Sequence, residues 1–176
     1  MRVIAGTAKG RRLEAPSWEG LRPTSDRLRE TLFNILAPRM AGARVLDGYA
    51  GTGALGIEAL SRGAAGVWFV EPDHRAFAMI GRNLEHCGMR DDRAVPLRAR
   101  FLEAAADLAG ERFDLVLLDP PYDDPRLDEA VRAGLGILSD DGVLVLEHAT
   151  RVAPPDGALR TVKSGDSSLS FYRKQA

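Results

Sequence analysis

From Arg44 onward, short apolar runs alternate with segments whose apolar residues follow a helical period. Each run suits a strand in length, and each intervening segment suits a helix. Regular alternation of this kind predicts a parallel sheet covered by helices on both faces, which is a doubly wound α/β fold. The predicted strands cover residues 44–48, 67–71, 94–98, 114–118 and 142–147, and the predicted helices cover residues 54–62, 73–87, 101–109 and 126–138.

The N-terminal part of the chain departs from this alternation. Residues 1–22 contain two short β-like pieces separated by turn-forming glycines, which predict an N-terminal arm folded as a β-hairpin. An amphipathic helix follows in LRPTSDRLRETLFNIL, with Thr24 or Ser25 as its N-cap. Since 176 residues suit one compact core, residues 23–176 are expected to form a single domain.

Basic side chains are concentrated at the N-terminus. The whole chain has a formal net charge of −1, but residues 1–29 hold seven basic and three acidic side chains, so the remaining 147 residues carry −5. A basic arm on an acidic body predicts contact with a polyanion. The alternative is a solvated surface segment that is rich in arginine.

Composition also sets expectations about compartment and metals. The single cysteine, Cys87, excludes an intramolecular disulfide and a multi-cysteine metal site, and the sequence shows no other cluster of metal ligands. The opening MRVIAGTAKG lacks the apolar stretch of a signal peptide, and no apolar run is long enough to cross a bilayer. We therefore expect a cytoplasmic monomer that binds no metal and no membrane.

A glycine-rich loop, DGYAGTGALG at residues 47–56, follows the first predicted strand and opens the next helix. Its glycines allow a tight turn and let a ligand approach the backbone beside the helix N-terminus. Glu71, twenty residues after Gly51, can accept hydrogen bonds from both hydroxyls of a ribose. This combination predicts an adenosine-type cofactor, either S-adenosylmethionine or a nicotinamide dinucleotide. Asp47 favours S-adenosylmethionine, because a carboxylate there would crowd a pyrophosphate and suits an amino-acid group.

The sequence DPPY at residues 119–122 ends the fourth predicted strand, at the edge of the sheet where ligands bind. Two successive prolines hold the backbone extended, so the carbonyls of Asp119 and Pro120 can point outward without competing N–H groups. These carbonyls and the Asp119 carboxylate can accept hydrogen bonds from a planar exocyclic amine, and Tyr122 can stack on the ring that bears it. The alternative is a rigid strand-to-loop turn. With the glycine loop, DPPY predicts a methyltransferase acting on the amine of a nucleic-acid base, with Asp119, Pro120 and Tyr122 as its catalytic residues.

The chain resembles the bacterial 16S ribosomal RNA guanine-N2 methyltransferases over nearly its whole length. RPTSDRLRETLFN is the specific stretch, since DPPY with a glycine loop recurs in many amino-methyltransferases. Beside the glycine loop, the other stretches are RVIAGTAKGRRLEAP, ALGIEALSRGA, VEPDHRAFAMIGRNL, LLDPPY, GVLVLEHA and SGDSSLSFYR.

The resemblance implies a Rossmann-like class I methyltransferase fold with seven strands, of which the last is antiparallel. The end of the chain fits this fold, because β-like runs at residues 159–164 and 168–173 are joined through Gly165–Asp166, a hairpin signal. The resemblance further implies 16S rRNA as the partner, in the small ribosomal subunit or an assembly intermediate. We expect the arm to bind its phosphates through four basic side chains, those of Lys9, Arg11, Arg12 and Arg22.

Carried over by position, the resemblance assigns S-adenosylmethionine to Asp47, Tyr49, Gly51, Gly53 and Glu71, with Tyr49 standing where relatives have a phenylalanine-type residue.

The end of the third predicted strand departs from the family pattern. Relatives often have an aspartate there that binds the adenine amine, whereas this chain reads PLRARFLE. Arg100 and Phe101 are the cofactor-side residues at this position, and the Arg100 guanidinium cannot accept that hydrogen bond. Backbone groups, or Glu103 one helical turn further on, are the substitutes.

The expected activity is transfer of a methyl group from S-adenosylmethionine to the exocyclic N2 amine of a guanine in 16S rRNA. An adenine N6 methyltransferase acting on DNA or RNA is the alternative, since both targets present an NH₂ group to a DPPY pocket. A nicotinamide-dependent oxidoreductase is more distant, because the chain lacks a second nucleotide-binding half. A non-catalytic RNA-binding module would leave the intact DPPY without a role.

Overall fold

The computed structural model describes residues 1–18 and 24–175, and in this part of the chain five helices alternate with seven strands. The helices are α1 (Asp26–Met40), α2 (Ala54–Ser61), α3 (His74–His86), α4 (Phe101–Asp107) and α5 (Leu127–Gly136). The strands are β1 (Arg44–Asp47), β2 (Gly66–Val70), β3 (Ala94–Leu97), β4 (Phe113–Leu118), β5 (Leu138–Ala149), β6 (Arg160–Ser164) and β7 (Ser167–Tyr172).

The strands form one sheet in the order β3-β2-β1-β4-β5-β7-β6. Strands β1 to β5 are parallel to one another, whereas β7 is antiparallel to both of its neighbours, β5 and β6. The predicted fold, a mostly parallel seven-stranded sheet with an antiparallel last strand, is confirmed. The chain runs outward from β1 to β3 and then returns to place β4 on the other side of β1. This reversal opens a crevice at the carboxyl ends of β1 and β4.

The central strands are buried on both faces, because successive side chains point to opposite sides of the sheet. On β1, Val45 packs in a core with apolar residues of α1, α2 and α3, while Leu46 packs in a second core with α4 and α5. On β4, Leu115 and Val116 divide between the two cores in the same way. The helices therefore form two layers around the sheet, and the strand ends remain at its edge.

The main difference from the predicted elements lies between α5 and β5. The helix ends at Gly136 and the strand already begins at Leu138, not at residue 142. The polar SDDG stretch hides this part of the strand in the sequence, but its backbone extends the sheet, and Leu138 pairs with Phe113 before the register shifts. Backbone pairing here prevails over the weak strand propensity of the side chains.

Residues 1–18 pack against α2 and α3. The predicted β-hairpin is reduced to one isolated antiparallel bridge between Arg2 and Arg12, and residues 1–18 contain no β-strand. The Glu58 carboxylate of α2 accepts the N–H groups of Ile4 at 2.8 Å and Ala5 at 3.0 Å. Glu58 is fully buried, and these donors together with Arg62 satisfy its charge.

The same segment contributes to the core. Val3, Ala8 and Leu13 are buried in the cluster that includes α1 and α2. Gly6 has a φ of +83°, and a Cβ there would lie 1.8 Å from the carbonyl oxygen of Ser61, so only glycine permits this approach. The division into an arm of residues 1–22 and a domain of residues 23–176 stays a prediction, since that boundary lies outside the described residues.

Among the described residues, no helix has the length and apolar character needed to span a bilayer. In the same residues, no group of three or more histidine, cysteine, aspartate or glutamate side chains is placed to hold a metal ion.

Candidate active site at the carboxyl edge of the sheet

A cavity of about 650 Å³ opens at the carboxyl ends of β1, β2, β4 and β5. Its volume falls in the range of small-molecule and cofactor sites. We distinguish two ends of this cavity. The glycine-loop end is built from residues 47–56 and 71–73, of which residues 49–52, Ala54, Leu55, Glu71 and Pro72 line the cavity. The DPPY end consists of Thr24, residues 119–122, Glu147 and Ser167.

Backbone conformation at the glycine-loop end is one that favours glycine. Gly51 has a φ of +54° and Gly53 a φ of +84°, both in the left-handed region. The Gly53 N–H donates to the Ala50 carbonyl at 2.7 Å, and Gly53 is the N-cap of α2. A Cβ at Gly56 would lie 2.2 Å from the ring of Phe69, so this glycine lets α2 pack closely on β2. The loop therefore exposes main chain to the cavity at the start of a helix.

Glu71 connects this loop to the end of β2. One carboxylate oxygen, Oε2, accepts the Gly51 N–H at 2.8 Å, and the other, Oε1, accepts the Asp73 N–H at 2.9 Å. Burial raises the pKa of Glu71, while the two backbone hydrogen bonds act in the opposite direction. The side chain also lines the cavity, and each oxygen keeps a second lone pair for a ligand hydroxyl.

Asp47 lies beneath the loop and is not among the residues that line the cavity. It is 1% exposed, and its Oδ2 accepts the Gly56 N–H at 3.0 Å, while Oδ1 has no partner among the described residues. Burial raises the pKa of Asp47 to about 7, the Gly56 bond opposes this, and the charges of Asp119 and Glu71 reinforce it. Asp47 thus fixes the N-terminus of α2 from below.

Three further residues, Tyr49, Arg100 and Phe101, were predicted to lie on the cofactor side, and of these only Tyr49 lines the cavity. Its ring packs on the buried Phe101 with 5.5 Å between centroids, so Phe101 supports the wall from behind. Burial raises the pKa of Tyr49 to about 12. Arg100 is exposed at the N-terminus of α4, where its N–H donates to Glu103 Oε2 at 3.3 Å. Glu103, the suggested substitute for adenine binding, is therefore engaged in capping its own helix.

The DPPY end begins where β4 ends, and Asp119, Pro120 and Tyr122 all line the cavity as predicted from the sequence. Thr24 reaches the same place from a distant part of the chain, and its Oγ1 donates to Asp119 Oδ2 at 2.8 Å. Thr24 and Ser25 were both candidates for the helix N-cap, and it is Ser25 that caps α1, where its Oγ accepts the Leu28 N–H.

Glu147 was missed by the sequence analysis. It lies near the carboxyl end of β5, is 7% exposed and lines the cavity. Thr24 Oγ1 lies 3.4 Å from Glu147 Oε2, so one hydroxyl reaches two carboxylates. A charged residue that ends the apolar run VLVLE, in a strand predicted to adjoin β4, is the signal that could have identified it.

The turn between β6 and β7 closes the DPPY end. The Tyr122 hydroxyl and Ser167 Oγ share a short hydrogen bond, which holds the tyrosine ring against the turn. Ser164 and Asp166 line the cavity beside Ser167. Nothing in the sequence signals this contact, because 45 residues separate the two partners.

The basic side chains of the arm lie on the surface. Lys9, Arg11 and Arg12 are exposed, and the Arg11 guanidinium donates to the His86 carbonyl at 2.8 Å. Arg22 lies outside the described residues.

Buried Asn83 of α3 links the arm to the glycine-loop end. Its Oδ1 accepts the Glu14 N–H at 2.7 Å, and its Nδ2 donates to the Thr52 carbonyl at 2.9 Å. The arm is therefore attached to the same helix layer that supports the loop.

A seven-stranded sheet with an antiparallel β7, a glycine loop after β1, a glutamate after β2 and DPPY after β4 together define the Rossmann-like class I methyltransferases. The family model described as conserved hypothetical protein 95 matches residues 1–173.

Relatives match along the whole chain. The ribosomal RNA small subunit methyltransferase D of Escherichia coli is 36% identical, over 100% of this chain and 91% of that protein. The putative rRNA methyltransferase YlbH of Bacillus subtilis is 37% identical over 99% of this chain and 100% of that protein. A solved structure of a putative methyltransferase from Escherichia coli is 34% identical and superposes with a TM-score of 0.85, over 100% of this chain and 98% of that one. The chain belongs to the conserved hypothetical protein 95 family, together with these small subunit methyltransferase D proteins. The resemblance inferred from the sequence motifs is confirmed at the level of the family.

Proposed function

We propose that this protein transfers a methyl group from S-adenosylmethionine to the exocyclic N2 amine of a guanine in 16S rRNA, in the small subunit or an assembly intermediate. The observation that carries this proposal is one cavity with a nucleoside-type end at Glu71 and an amine-accepting end at Asp119. Relatives that are named as small subunit rRNA methyltransferases, and that align along the whole chain, support the RNA substrate.

The glycine-loop end fits S-adenosylmethionine. Glu71 would hold the ribose hydroxyls, because both of its oxygens are already oriented by backbone N–H groups and face the cavity. The main chain at Gly51 and the Tyr49 ring would contact the rest of S-adenosylmethionine. Gly53 would shape the loop, and Asp47 would support it through its hydrogen bond with the Gly56 N–H. Phe101 and Arg100 would act indirectly, through the packing of Tyr49 and the start of α4. When bound, the cofactor supplies a methyl group on a positively charged sulfur.

At the DPPY end, the chain's own groups prepare the amine. A base amine is a weak nucleophile, because its lone pair is delocalised into the ring. The N–H groups of the amine would donate hydrogen bonds to the Asp119 carboxylate and to the carbonyls of Asp119 and Pro120. These hydrogen bonds favour a pyramidal nitrogen, whose lone pair then points along the cavity. Alignment of two reacting groups in this way can lower a barrier by roughly 7–11 kcal/mol.

Charge and protons balance without a metal. Bound S-adenosylmethionine would supply the methyl group to the nitrogen, and the electron pair of the carbon–sulfur bond would remain on the sulfur. The nitrogen then carries an excess proton, which Asp119 is placed to accept and pass to water. Tyr122 stacks on the ring and keeps the amine in the plane of these acceptors, and Ser167 fixes the Tyr122 hydroxyl.

The arm would supply affinity for RNA. Lys9, Arg11 and Arg12 are exposed on a segment that packs against the helix layer beside the glycine loop. Arg22 lies outside the described residues, and its contact with RNA stays an expectation from the sequence. A pocket for one base cannot select that base among many, so contacts to phosphates outside the pocket must place the RNA.

The test is nucleoside mass analysis of small-subunit rRNA from cells that lack the protein and from cells that regain it. We expect N2-methylguanosine to fall on deletion and to return with the wild-type gene, but not with an Asp119→Ala variant. A loss of N6-methyladenosine instead would transfer the assignment to adenine. Unchanged rRNA nucleosides would refute an rRNA substrate.

A further inference from the structure

The turn between β6 and β7 forms one side of the DPPY end. Ser164, Asp166 and Ser167 line the cavity there, and Ser167 Oγ shares a hydrogen bond with the Tyr122 hydroxyl. A base held at the DPPY end therefore lies beside this turn, and the phosphates joined to its sugar lie at the mouth of the cavity. Positively charged side chains at that mouth would stabilise them, since phosphate contacts provide much of the affinity for nucleic acids and fix their position.

Two basic side chains flank the turn. Lys163 lies near the end of β6, and Arg151 follows β5, which ends at Ala149. Both side chains are exposed. Within the part of the chain that the structure describes, none of the ion pairs includes either of them. Each charge is therefore open to a ligand. We call residues 149–152 and 163–167 the hairpin rim.

Thr150 joins the two parts of the hairpin rim. Its N–H donates to the Asp166 carbonyl at 2.8 Å, and its Oγ1 shares a hydrogen bond with Ser168 Oγ at 2.9 Å. Ser168 is in turn the partner of Lys163 in the β6–β7 pair. Arg151, next to Thr150 in the chain, and Lys163 therefore lie on one braced surface beside the cavity.

The loop that follows DPPY has the opposite charge. Residues 123–129 hold four acidic side chains, those of Asp123, Asp124, Asp128 and Glu129, and one basic side chain, that of Arg126. The hairpin rim holds two basic side chains and one acidic side chain. A polyanion is repelled by the first surface and attracted by the second. An RNA backbone at the DPPY end is therefore expected on the rim side.

The tip of the arm lies on the other side of the cavity. The N–H groups of Thr7 and Ala8 donate to Ser61, the last residue of α2, which has eight residues. At 1.5 Å per residue, the tip is roughly 12 Å of helix away from the glycine loop. In the opposite direction, β6 is the fourth strand from β1, or roughly 19 Å at the usual strand spacing. The hairpin rim, and not the tip of the arm, adjoins the DPPY end.

We infer that Arg151 and Lys163 bind the backbone phosphates next to the nucleotide whose base enters the DPPY end. This inference rests on the proposed methylation of an RNA base, but it does not depend on which base is methylated. The hairpin rim places the target nucleotide, whereas the arm adds affinity for RNA at a distance from it.

The experiment compares the wild-type protein with a rim variant, Arg151→Ala with Lys163→Ala. The matched control is Arg160→Ala with Arg173→Ala, which removes two exposed basic side chains from the other end of the same hairpin. The RNA is small-subunit rRNA from cells lacking the protein, assembled with subunit proteins. A second preparation carries neutral methylphosphonates on both sides of the nucleotide that the wild-type protein methylates. RNA affinity over a salt series, methylation rate and S-adenosylmethionine affinity are measured for each protein.

We expect the rim variant to bind unmodified RNA more weakly, by up to roughly thirtyfold, as for two exposed charge pairs. The slope of its log affinity against log salt should flatten by roughly 1.4–1.8 units, from 0.7–0.9 per phosphate. The neutral linkages should weaken binding to the wild-type protein and the control variant. They should have little effect on the rim variant, because the partners of those phosphates are already gone. S-adenosylmethionine affinity should be the same in all three proteins.

The outcomes separate this inference from the proposed function. If the wild-type protein methylates no nucleoside of this RNA, the proposed function fails and the inference fails with it. If the wild-type protein methylates the RNA and the neutral linkages weaken the rim variant as much as the wild type, only the inference is overturned. Equal losses in the rim and control variants also overturn it, because total charge and not position would then decide the affinity. A parallel loss of S-adenosylmethionine affinity in the rim variant overturns it as well, since the substitutions would then act on the fold.

Discussion

The two ends of the cavity are built in different ways. The glycine-loop end is assembled from residues 47–56 and 71–73, which follow one another along β1, α2 and β2, and its hydrogen bonds join carboxylates to backbone N–H groups. The DPPY end gathers side chains from the segment before α1, the loop after β4, and strands β5 and β7, and these bonds join side chain to side chain.

This difference predicts different effects of mutation. The carboxylates of Asp47 and Glu71 accept backbone N–H groups and thereby stabilise the conformation of the glycine loop. Changes at the glycine-loop end should therefore affect both the cofactor affinity and the stability of the protein. At the DPPY end these hydrogen bonds join side chains, so truncation of one side chain should leave the backbone conformation unchanged. Changes at the DPPY end should therefore affect methyl transfer and leave cofactor affinity intact.

The largest effect is expected for Asp119→Ala. Removing the group that orients the amine should lower the rate of methyl transfer by about 10²–10³-fold, as for removal of one preorganised group from an active site. Initial rates with methyl-labelled cofactor measure this loss, and calorimetric titration measures the affinity for S-adenosylmethionine. We expect that affinity to stay within a few fold of wild type. A parallel loss of cofactor affinity would show that the two ends are not separate.

Glu71→Ala tests the opposite end. Loss of a charged acceptor for the ribose hydroxyls should weaken S-adenosylmethionine binding by roughly tenfold to a hundredfold. Calorimetric titration measures the change, and Glu85→Ala, which removes an exposed acidic charge from α3, is the control. Unchanged affinity would remove Glu71 from the site, and tight binding of a nicotinamide dinucleotide would favour the oxidoreductase alternative.

Asp47→Asn separates support of the loop from contact with the cofactor. Burial raises the pKa of Asp47 to about 7 from an ordinary value of 3.8, so between these values the folded protein holds a proton that the unfolded chain has lost. The free energy of unfolding therefore falls as the pH rises from 3.8 toward 7, because the unfolded chain ionises Asp47 more readily than the folded protein does. The isosteric amide removes this dependence.

Urea unfolding at pH 5 and pH 8 measures the difference. Relative to wild type, Asp47→Asn should gain on the order of 2 kcal/mol in free energy of unfolding between these pH values. The same pH dependence in both proteins would show that Asp47 is ionised in the folded protein over this range, and that burial does not hold its proton.

The smallest effect on chemistry is expected in the arm. Replacing Lys9, Arg11 and Arg12 with alanine should raise the apparent Michaelis constant for RNA, because each is expected to neutralise one phosphate. The slope of log affinity against log salt should flatten by about two to three units, from roughly 0.7–0.9 per phosphate. Assays over a salt series measure this, and affinity for S-adenosylmethionine should not change.

A matched triple variant outside the arm distinguishes specific contacts from loss of positive charge. Arg112, Arg132 and Arg173 are exposed and lie in the body of the protein, so their replacement removes the same charge. Equal flattening of the salt slope in both triple variants would contradict the arm as the RNA contact, and recognition would then belong to the whole surface.

Much of the glycine-loop end was predictable from the sequence. Gly51, Glu71 and residues 119–122 line the cavity at the strand ends that the sequence pattern indicated. Three assignments differ in position. Asp47 lies beneath the loop, Phe101 lies behind Tyr49, and Arg100 is on the surface. A motif identifies which residues lie near a strand end, but the depth of each side chain depends on how α2 and α4 pack.

Three features could be predicted from local patterns in the sequence: the order of strands and helices, the edge of the sheet that holds the site, and the residue types at two strand ends. Periodicity and short motifs act over neighbouring residues, so they are readable along the chain. The folded chain alone shows that Thr24 reaches both Asp119 and Glu147 and that Ser167 reaches Tyr122. These contacts join residues 45 to 123 positions apart. They depend on the register of β5 beside β4 and on the return of β7, which no local pattern encodes.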